Sequence, residues 1–329
     1  MKNTLIDPFG RKHNYLRISL TDNCNLRCFY CMPEEEYAFT PHHKLMQHDE
    51  IATLAKIFVD QGVTRIRLTG GEPLVRKDAS AIITTLSKLP VALTMTTNGI
   101  RIDDMLPFII NANFESINIS LDTLNSDRFL KITRRDYFDR VRRNIDLLIA
   151  QNIRTKINVV VMKGLNDDEI LDFVALTKNI PIEVRFIEFM PFSGNKWSSN
   201  QVVTQEELLS TINSHYQLKP LEPKPHDTTK PYAVQGHLGS IAIISTMTNP
   251  FCDNCNRIRL TADGKLKNCL FSIAETDLLT PLRAGEDVLP LIEQCIHSKA
   301  KSLGGQLHDN FKLIDTEVLE NRSMITIGG

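Results

Sequence analysis

Cys24, Cys28 and Cys31 fall within eight residues, CNLRCFYC, of a 329-residue chain that holds seven cysteines. Thiols this close share a task, yet a structural zinc or an electron-carrying iron–sulfur cluster takes four protein ligands. On a compact loop, C-x3-C-x2-C spacing lets three thiolates hold three corners of a [4Fe–4S] cube. The fourth iron then stays open to bind and activate a small molecule. The competing reading is a Cys3His zinc site completed by His13, His42 or His43, none of which sits at a zinc-finger spacing.

Cys252, Cys255 and Cys269 repeat the theme as C-x2-C-x13-C, again three ligands, and favour a second open-iron cluster. The leftover Cys295 is the alternative fourth ligand, but it lies in IEQCIHS, a helical stretch where a buried inert thiol is the commoner role. Beside the second set runs NRIRL, in which Arg257 and Arg259 share one face of a strand. Paired guanidiniums next to a cluster suit a polyphosphate, although a solvated strand face carries the same pattern. Arg17, Arg67, Lys156 and Arg185 add charges at predicted strand positions. A charge in a sheet is costly unless paired or ligand-bound, so four on four strands outline a cavity for an anion.

A β–α series must position these groups. YLRISLT (15–21), RIRLTG (65–70), ALTMTT (92–97), SINISL (116–121), KINVVVM (156–162) and EVRFIEF (183–189) read as strands. Helices are expected at 49–62, 78–88, 103–111, 137–151 and 167–178, the first opened by acids and closed by Gly62. Six such repeats imply a parallel sheet with right-handed crossovers, open or curled into a barrel. Either way ligands gather where the strands end, which is where Gly70, Gly71, Thr96, Ser120 and Met190 fall. Beyond residue 190 the rhythm changes. A helix with a Thr204/Glu207 capping box is expected over 204–216, and four prolines mark 219–231 as an irregular connection. A short β region (240–246), a hairpin at Ala262–Lys265 and a final helix near 286–301 follow.

The bulk numbers are those of an ordinary globular protein: 42% hydrophobic, 23% charged, formal net charge −1. No global basic field recruits nucleic acid or an anionic membrane. The N-terminal residues show no secretory pattern and no apolar run is long enough for a transmembrane helix. A cytoplasmic location is therefore expected, where clustered cysteines favour metal binding over disulfides.

C-x3-C-x-Y-C followed by Gly70-Gly71-Glu72-Pro73 resembles the signature of the radical S-adenosylmethionine enzymes. In that family the open iron chelates the methionyl amino and carboxylate groups, and one electron releases a 5′-deoxyadenosyl radical. Over essentially the whole chain, RISLTDNCNLRCFYCMP, IRLTGGEPLVR, TTNG, INISLD, VRFIEFMPF, FCDNCNRIRL with Cys269 beyond it, and terminal Gly328–Gly329 resemble the GTP 3′,8-cyclases. That family begins molybdenum cofactor biosynthesis. The strand before GGEP opens with Arg65, where lysine is also common in the family.

The resemblance implies an α/β fold, a partial (β/α)6 TIM-like barrel closed by a C-terminal α+β region. Residues 1–190 would carry the first cluster, and 191–329 the second cluster and the GTP site. It implies two [4Fe–4S] clusters, with S-adenosylmethionine on the first and the purine of GTP on the second. The product would be (8S)-3′,8-cyclo-7,8-dihydroguanosine 5′-triphosphate, made by removing the ribose 3′ hydrogen and closing onto C8. Carried over residue by residue, Tyr30, Gly71, Ser120 and Met190 would contact S-adenosylmethionine. Arg17, Arg67, Thr96, Lys156, Arg257, Ile258 and Arg259 would contact GTP, with Arg185 in the same cavity. Gly328 and Gly329 would form a tail entering the site, against the alternative of a frayed end. Implied partners are an electron-donor protein, cyclic pyranopterin monophosphate synthase downstream, and a second copy in a homodimer. Two rivals stand beside this reading: a peptide-modifying radical enzyme with an auxiliary cluster, and a non-catalytic metal module that recognises a nucleotide or RNA.

Overall fold

Alternation along the strands decides the architecture. In Tyr15–Ser19 (β1), Leu16 and Ile18 are buried in the apolar core while Tyr15 and Arg17 face the opposite way. The computed structural model describes residues 4–32, 37–223, 226–316 and 318–328. After β1 come helix α1 (His48–Asp60), β2 (Arg65–Thr69), α2 (Ala79–Leu86), β3 (Ala92–Thr97), α3 (Ile102–Asn111) and β4 (Ser116–Ser120). Two helices follow, α4 (Ser126–Thr133) and α5 (Phe138–Ala150), then β5 (Thr155–Val161), α6 (Ile170–Leu176) and β6 (Glu183–Glu188). Each expected strand and helix of this half is present, with ends shifted by a few residues.

Local chemistry explains the helices. Gln47 and Glu50 form a capping box at the start of α1, and Ile51, Leu54, Ala55, Phe58 and Val59 form its buried face. Gly62, at φ 93°, ends it as expected. Sequence reading misses α4. Its N-cap is Asn125, whose side chain accepts from the Arg128 N–H, but eight residues are too few for periodicity to register.

The C-terminal part contributes α7 (Gln205–Asn213), β7 (Leu218–Pro220), β8 (Lys230–Val234), β9 (Ser240–Ile244), β10 (Arg257–Leu260), β11 (Lys265–Lys267) and β12 (Thr276–Asp277). Helices α8 (Leu279–Arg283), α9 (Leu289–His297) and α10 (Met324–Ile327) complete it. The Thr204/Glu207 capping box is present. The proline-rich stretch is less irregular than expected, because its two ends are β7 and β8, an antiparallel pair.

The strand order is β12-β11-β10-β1-β2-β3-β4-β5-β6-β9-β8-β7. From β10 through β1–β6 to β9 the strands run parallel, and the outer pairs are antiparallel. The six β–α strands thus form the partial barrel, and the C-terminal part flanks it by adding strands to both edges. Among the described residues no ladder joins β7 to β12, so the sheet stays open. Helices cover the outside, where Ile66, Leu68, Ile117, Ile119, Ile157, Val184, Phe186 and Ile243 form one continuous core. On the concave side several strands present polar side chains, among them Arg17, Arg67, Asn118, Asn158 and Arg185. No helix among the described residues is long and apolar enough to cross a membrane.

Candidate active site

The concave face encloses a cavity of about 330 Å³. Both cysteine sets line it: Cys24, Cys28 and Cys31 on the loop after β1, and Cys252, Cys255 and Cys269 around β10 and β11. Arg17, Arg67, Arg185, Arg257 and Arg259 line it too, as do Tyr30, Gly71, Thr96, Ser120 and Met190. Two of the predicted residues, Ile258 and Lys156, are placed differently, while Cys295 takes the buried-thiol place expected of it. Ile258 points to the opposite face of β10 from the two arginines, is fully buried in the core and does not line the cavity. Lys156 does not line the cavity, and its ammonium pairs with Glu183 at 3.2 Å. Cys295 sits in the core on α9, with Sγ 3.7 Å from the Leu266 carbonyl, away from the second set. Gly328 touches the site through its carbonyl, which accepts from Arg259 Nη1 at 2.6 Å. Gly329 lies outside the described residues.

Three strand-end loops are tied together around the first set. The Gly71 N–H donates to the Thr21 carbonyl at 2.7 Å, and the Glu72 N–H to that of Asn23 at 2.8 Å. The buried Glu72 carboxylate accepts from the Asn98 and Leu74 N–H groups and from the Thr97 hydroxyl at 2.6–3.0 Å. Burial pushes it up to about 7, although these hydrogen bonds oppose the shift. Asn98 then donates to Asn25 at 2.7 Å, inside the cysteine loop. GGEP and TTNG therefore act as one brace. On the other side, α4 holds the loop through Arg27 N–H to Thr133 and Phe29 N–H to Ile132. Tyr30 donates to Asp122, whose other oxygen accepts the Val160 N–H.

The thiols test what the first set could hold. Burial raises Cys24 to about 11, with Glu72 adding to it. Burial also raises Cys28, and Cys31 and Cys24 push it further. Three such neighbours ionise together only beside a strongly positive metal group, so the donor set fits a cluster. His13, His42 and His43, the candidate zinc ligands, do not line the cavity. His13 bonds to Asp7 instead. Among the described residues, no three His, Cys, Asp or Glu groups converge as a single-ion site.

The guanidiniums form a pole at the base of the cavity. β10, β1 and β2 are in register so that Arg259, Arg17 and Arg67 lie side by side. Burial lowers Arg259 to about 10, and it lowers Arg17 too, with the neighbouring Arg259 adding to that shift. Two like charges ~4 Å apart repel by roughly 4 kcal/mol at an effective dielectric of 20, so this pole calls for a multiply charged anion. Arg257 Nη1, Asn118 Oδ1 and Asn158 Oδ1 are buried without hydrogen-bond partners among the described residues, and all three side chains line the cavity.

Sequence reading overlooked the centre of this pole. Tyr15 lies beneath three guanidiniums, its ring centre 5.4–6.0 Å from Arg257, Arg65 and Arg67, and its hydroxyl accepts from Arg67 Nε. Burial acts to raise the phenol, but Arg67, Arg17 and Arg257 prevail and bring it down to about 7. Its inward position on β1 was readable; its neighbours, on other strands, were not.

The Radical SAM superfamily profile matches residues 18–177, and the Molybdenum Cofactor Synthesis C profile matches 182–304. A mitochondrial GTP 3′,8-cyclase from Arabidopsis thaliana is 46% identical, over 99% of this chain and 83% of that one. The GTP 3′,8-cyclase of Peptoclostridium acidaminophilum is 41% identical, over 100% of this chain and 99% of that one. The chain belongs to the GTP 3′,8-cyclase family of the radical SAM superfamily. It spans about half of some longer relatives: Drosophila melanogaster molybdenum cofactor biosynthesis protein 1 is 47% identical over 90% of this chain, but only 54% of that protein is covered. Among solved structures, Streptococcus suis SuiB bound to S-adenosylmethionine shares the fold at TM-score 0.60 and 16% identity, over 88% of this chain and 69% of that one. Superfamily membership brings S-adenosylmethionine and a [4Fe–4S] cluster to this chain, and the first cysteine set carries the superfamily's spacing.

Proposed function

We propose that this chain is a GTP 3′,8-cyclase that converts GTP to (8S)-3′,8-cyclo-7,8-dihydroguanosine 5′-triphosphate in molybdenum cofactor biosynthesis. The observation that carries the reading is that two three-cysteine sets and five guanidiniums line one cavity. A reduced cluster bound here would supply the one-electron chemistry for cleaving S-adenosylmethionine. Cys24, Cys28 and Cys31 would hold that cluster, and Cys252, Cys255 and Cys269 a second one facing the purine. Tyr30, Gly71, Ser120 and Met190 would seat S-adenosylmethionine. Arg17, Arg67, Thr96, Arg257 and Arg259 would hold GTP, with Arg185 beside them. Lys156 would act from behind, by fixing Glu183 against Arg185, and Ile258 through its backbone. Met324 and Ile325 on the tail line the cavity and would help keep water from it.

In functional terms 1–190 would be the radical-generating part and 191–329 the substrate part. The reading calls for a one-electron donor protein and for cyclic pyranopterin monophosphate synthase to consume the product. A homodimer is compatible with it. The seven free cysteines suit a reducing compartment such as the cytoplasm. A peptide substrate, the rival, gives no use to five clustered arginines.

The test is 5′-deoxyadenosine formation by anaerobically reconstituted protein, with GTP, with ATP and with neither. Stimulation by GTP alone, with its conversion to a cyclised nucleotide, supports the reading. Cleavage indifferent to GTP removes the substrate assignment, and no cleavage despite bound iron removes the enzyme. Cys252→Ser should keep S-adenosylmethionine cleavage while abolishing cyclisation, and unimpaired cyclisation would remove the role of the second set.

A further inference from the structure

Lys299 follows α9 and belongs to no motif in the sequence, yet it is only 4% exposed. Its ammonium lies 3.8 Å from Cys255 Sγ and donates to the carbonyls of Arg257 at 3.0 Å and Asn268 at 2.5 Å. Those two residues flank the second set, at Cys255 and Cys269. Its three partners among the described residues are two carbonyls and a thiol, none of them a carboxylate, so no hydrogen-bonded anion neutralises its charge beside the cysteines. The first set has carboxylates near it instead, with the Arg27 guanidinium donating, among the described residues, only to the backbone carbonyls of Cys24 and Leu26. Glu72 braces its loop, and Asp122 accepts a hydrogen bond from Tyr30, the residue between Cys28 and Cys31.

We propose that Lys299 sets the reduction potential of the cluster held by Cys252, Cys255 and Cys269, keeping it above that of the cluster at the first set. The inference rests on the second-cluster reading given above. Reduction adds a negative charge to a cluster, and a fixed cation within N–H···S reach stabilises that state. A buried ammonium does so more strongly than an exposed one, since little water screens it. Carboxylates near the first set act the other way and favour a strong reductant, as cleavage of S-adenosylmethionine requires. Lys299 is a positioning residue in this account: it acts through the cluster, without touching substrate.

The experiment is a reductive titration of the two-cluster enzyme followed by electron paramagnetic resonance. S-adenosylmethionine alters only the signal of the cluster it binds, which separates the two. Lys299→Gln keeps an N–H donor and removes the charge, and Lys299→Arg keeps both. The Gln variant should titrate at a lower potential at the second cluster with the first unmoved, and the Arg variant should match the native enzyme. An unmoved second midpoint in fully iron-loaded Lys299→Gln overturns the proposal. Loss of the second cluster from both variants also overturns it, leaving Lys299 a packing element. A native chain that assembles no cluster at Cys252, Cys255 and Cys269 would instead remove the reading beneath it.

Discussion

Tyr15 is the residue whose surroundings say most about the substrate. Its folded value, about 7, lies below the ordinary 10, because Arg67, Arg17 and Arg257 outweigh burial. The sign follows: the ionised phenol contributes stability at high pH, and that contribution is lost as pH falls through about 7. A triphosphate entering the cavity competes with the phenolate for the same guanidiniums. Native affinity for GTP should therefore weaken as pH rises through the phenol's titration, by about tenfold, or ~1.4 kcal/mol. Tyr15→Phe keeps the ring under the arginines and removes the charge. Equilibrium binding on either side of the titration should show that native fall against a flatter variant, the nucleotide's own titration being common to both. Parallel profiles would sink the idea. Nothing in the sequence near residue 15 announces this, since the arginines come from β1, β2 and β10. Arg17 and Arg67 were legible because a charge at a strand position is conspicuous by itself; a tyrosine in a strand is not.

At the scale of elements, legibility followed local signals. Strands β1 to β6 declared themselves through β-branched runs, and α7 through its capping box. β7 and β8 stayed hidden because Pro220 and Pro231 lack the N–H a ladder uses, and tertiary pairing overrode that signal. α4 stayed hidden because what holds it includes the cysteine loop, a partner about a hundred positions away. The loop pairing at GGEP is the element-level feature most open to test. A Cβ on Gly71 would lie 2.5 Å from the Asp22 carbonyl oxygen and 2.6 Å from that of Asn23. Both contacts are backbone, so the two loops must separate. Gly71→Ala should cost ~1–3 kcal/mol in denaturant unfolding. It should also lower iron held by the first set and S-adenosylmethionine cleavage, with the second set still loaded. Native stability and cleavage in this variant would show that the brace is not needed.

The whole molecule depends on its last residues reaching back across the sheet. Arg322 forks onto both Asp263 oxygens at 2.9 Å and reaches Glu275 at 2.6 Å. That clasp ties the tail to the β10–β11 hairpin, with α10 beginning two residues later. At the far end Gly328, at φ 79°, is pressed so closely on the strand ends that a Cβ would lie 2.5 Å from Thr69 Oγ1. There its carbonyl accepts from Arg259, one of the arginines proposed to hold the substrate. An exposed ion pair contributes little, but a bidentate, half-buried one shared by two carboxylates is held in a single geometry. Arg322→Ala should therefore release the tail without disturbing either cysteine set, both of which are fixed by other contacts. With the cavity mouth open to water, cleavage of S-adenosylmethionine should continue while cyclisation falls, by about tenfold for ~1.4 kcal/mol of lost positioning. The ratio of 5′-deoxyadenosine to cyclised nucleotide is the readout, with iron content as the control. A native ratio would mean that the tail finds its place without the clasp. A ratio that rises with iron unchanged would make the clasp the link between radical formation and its use.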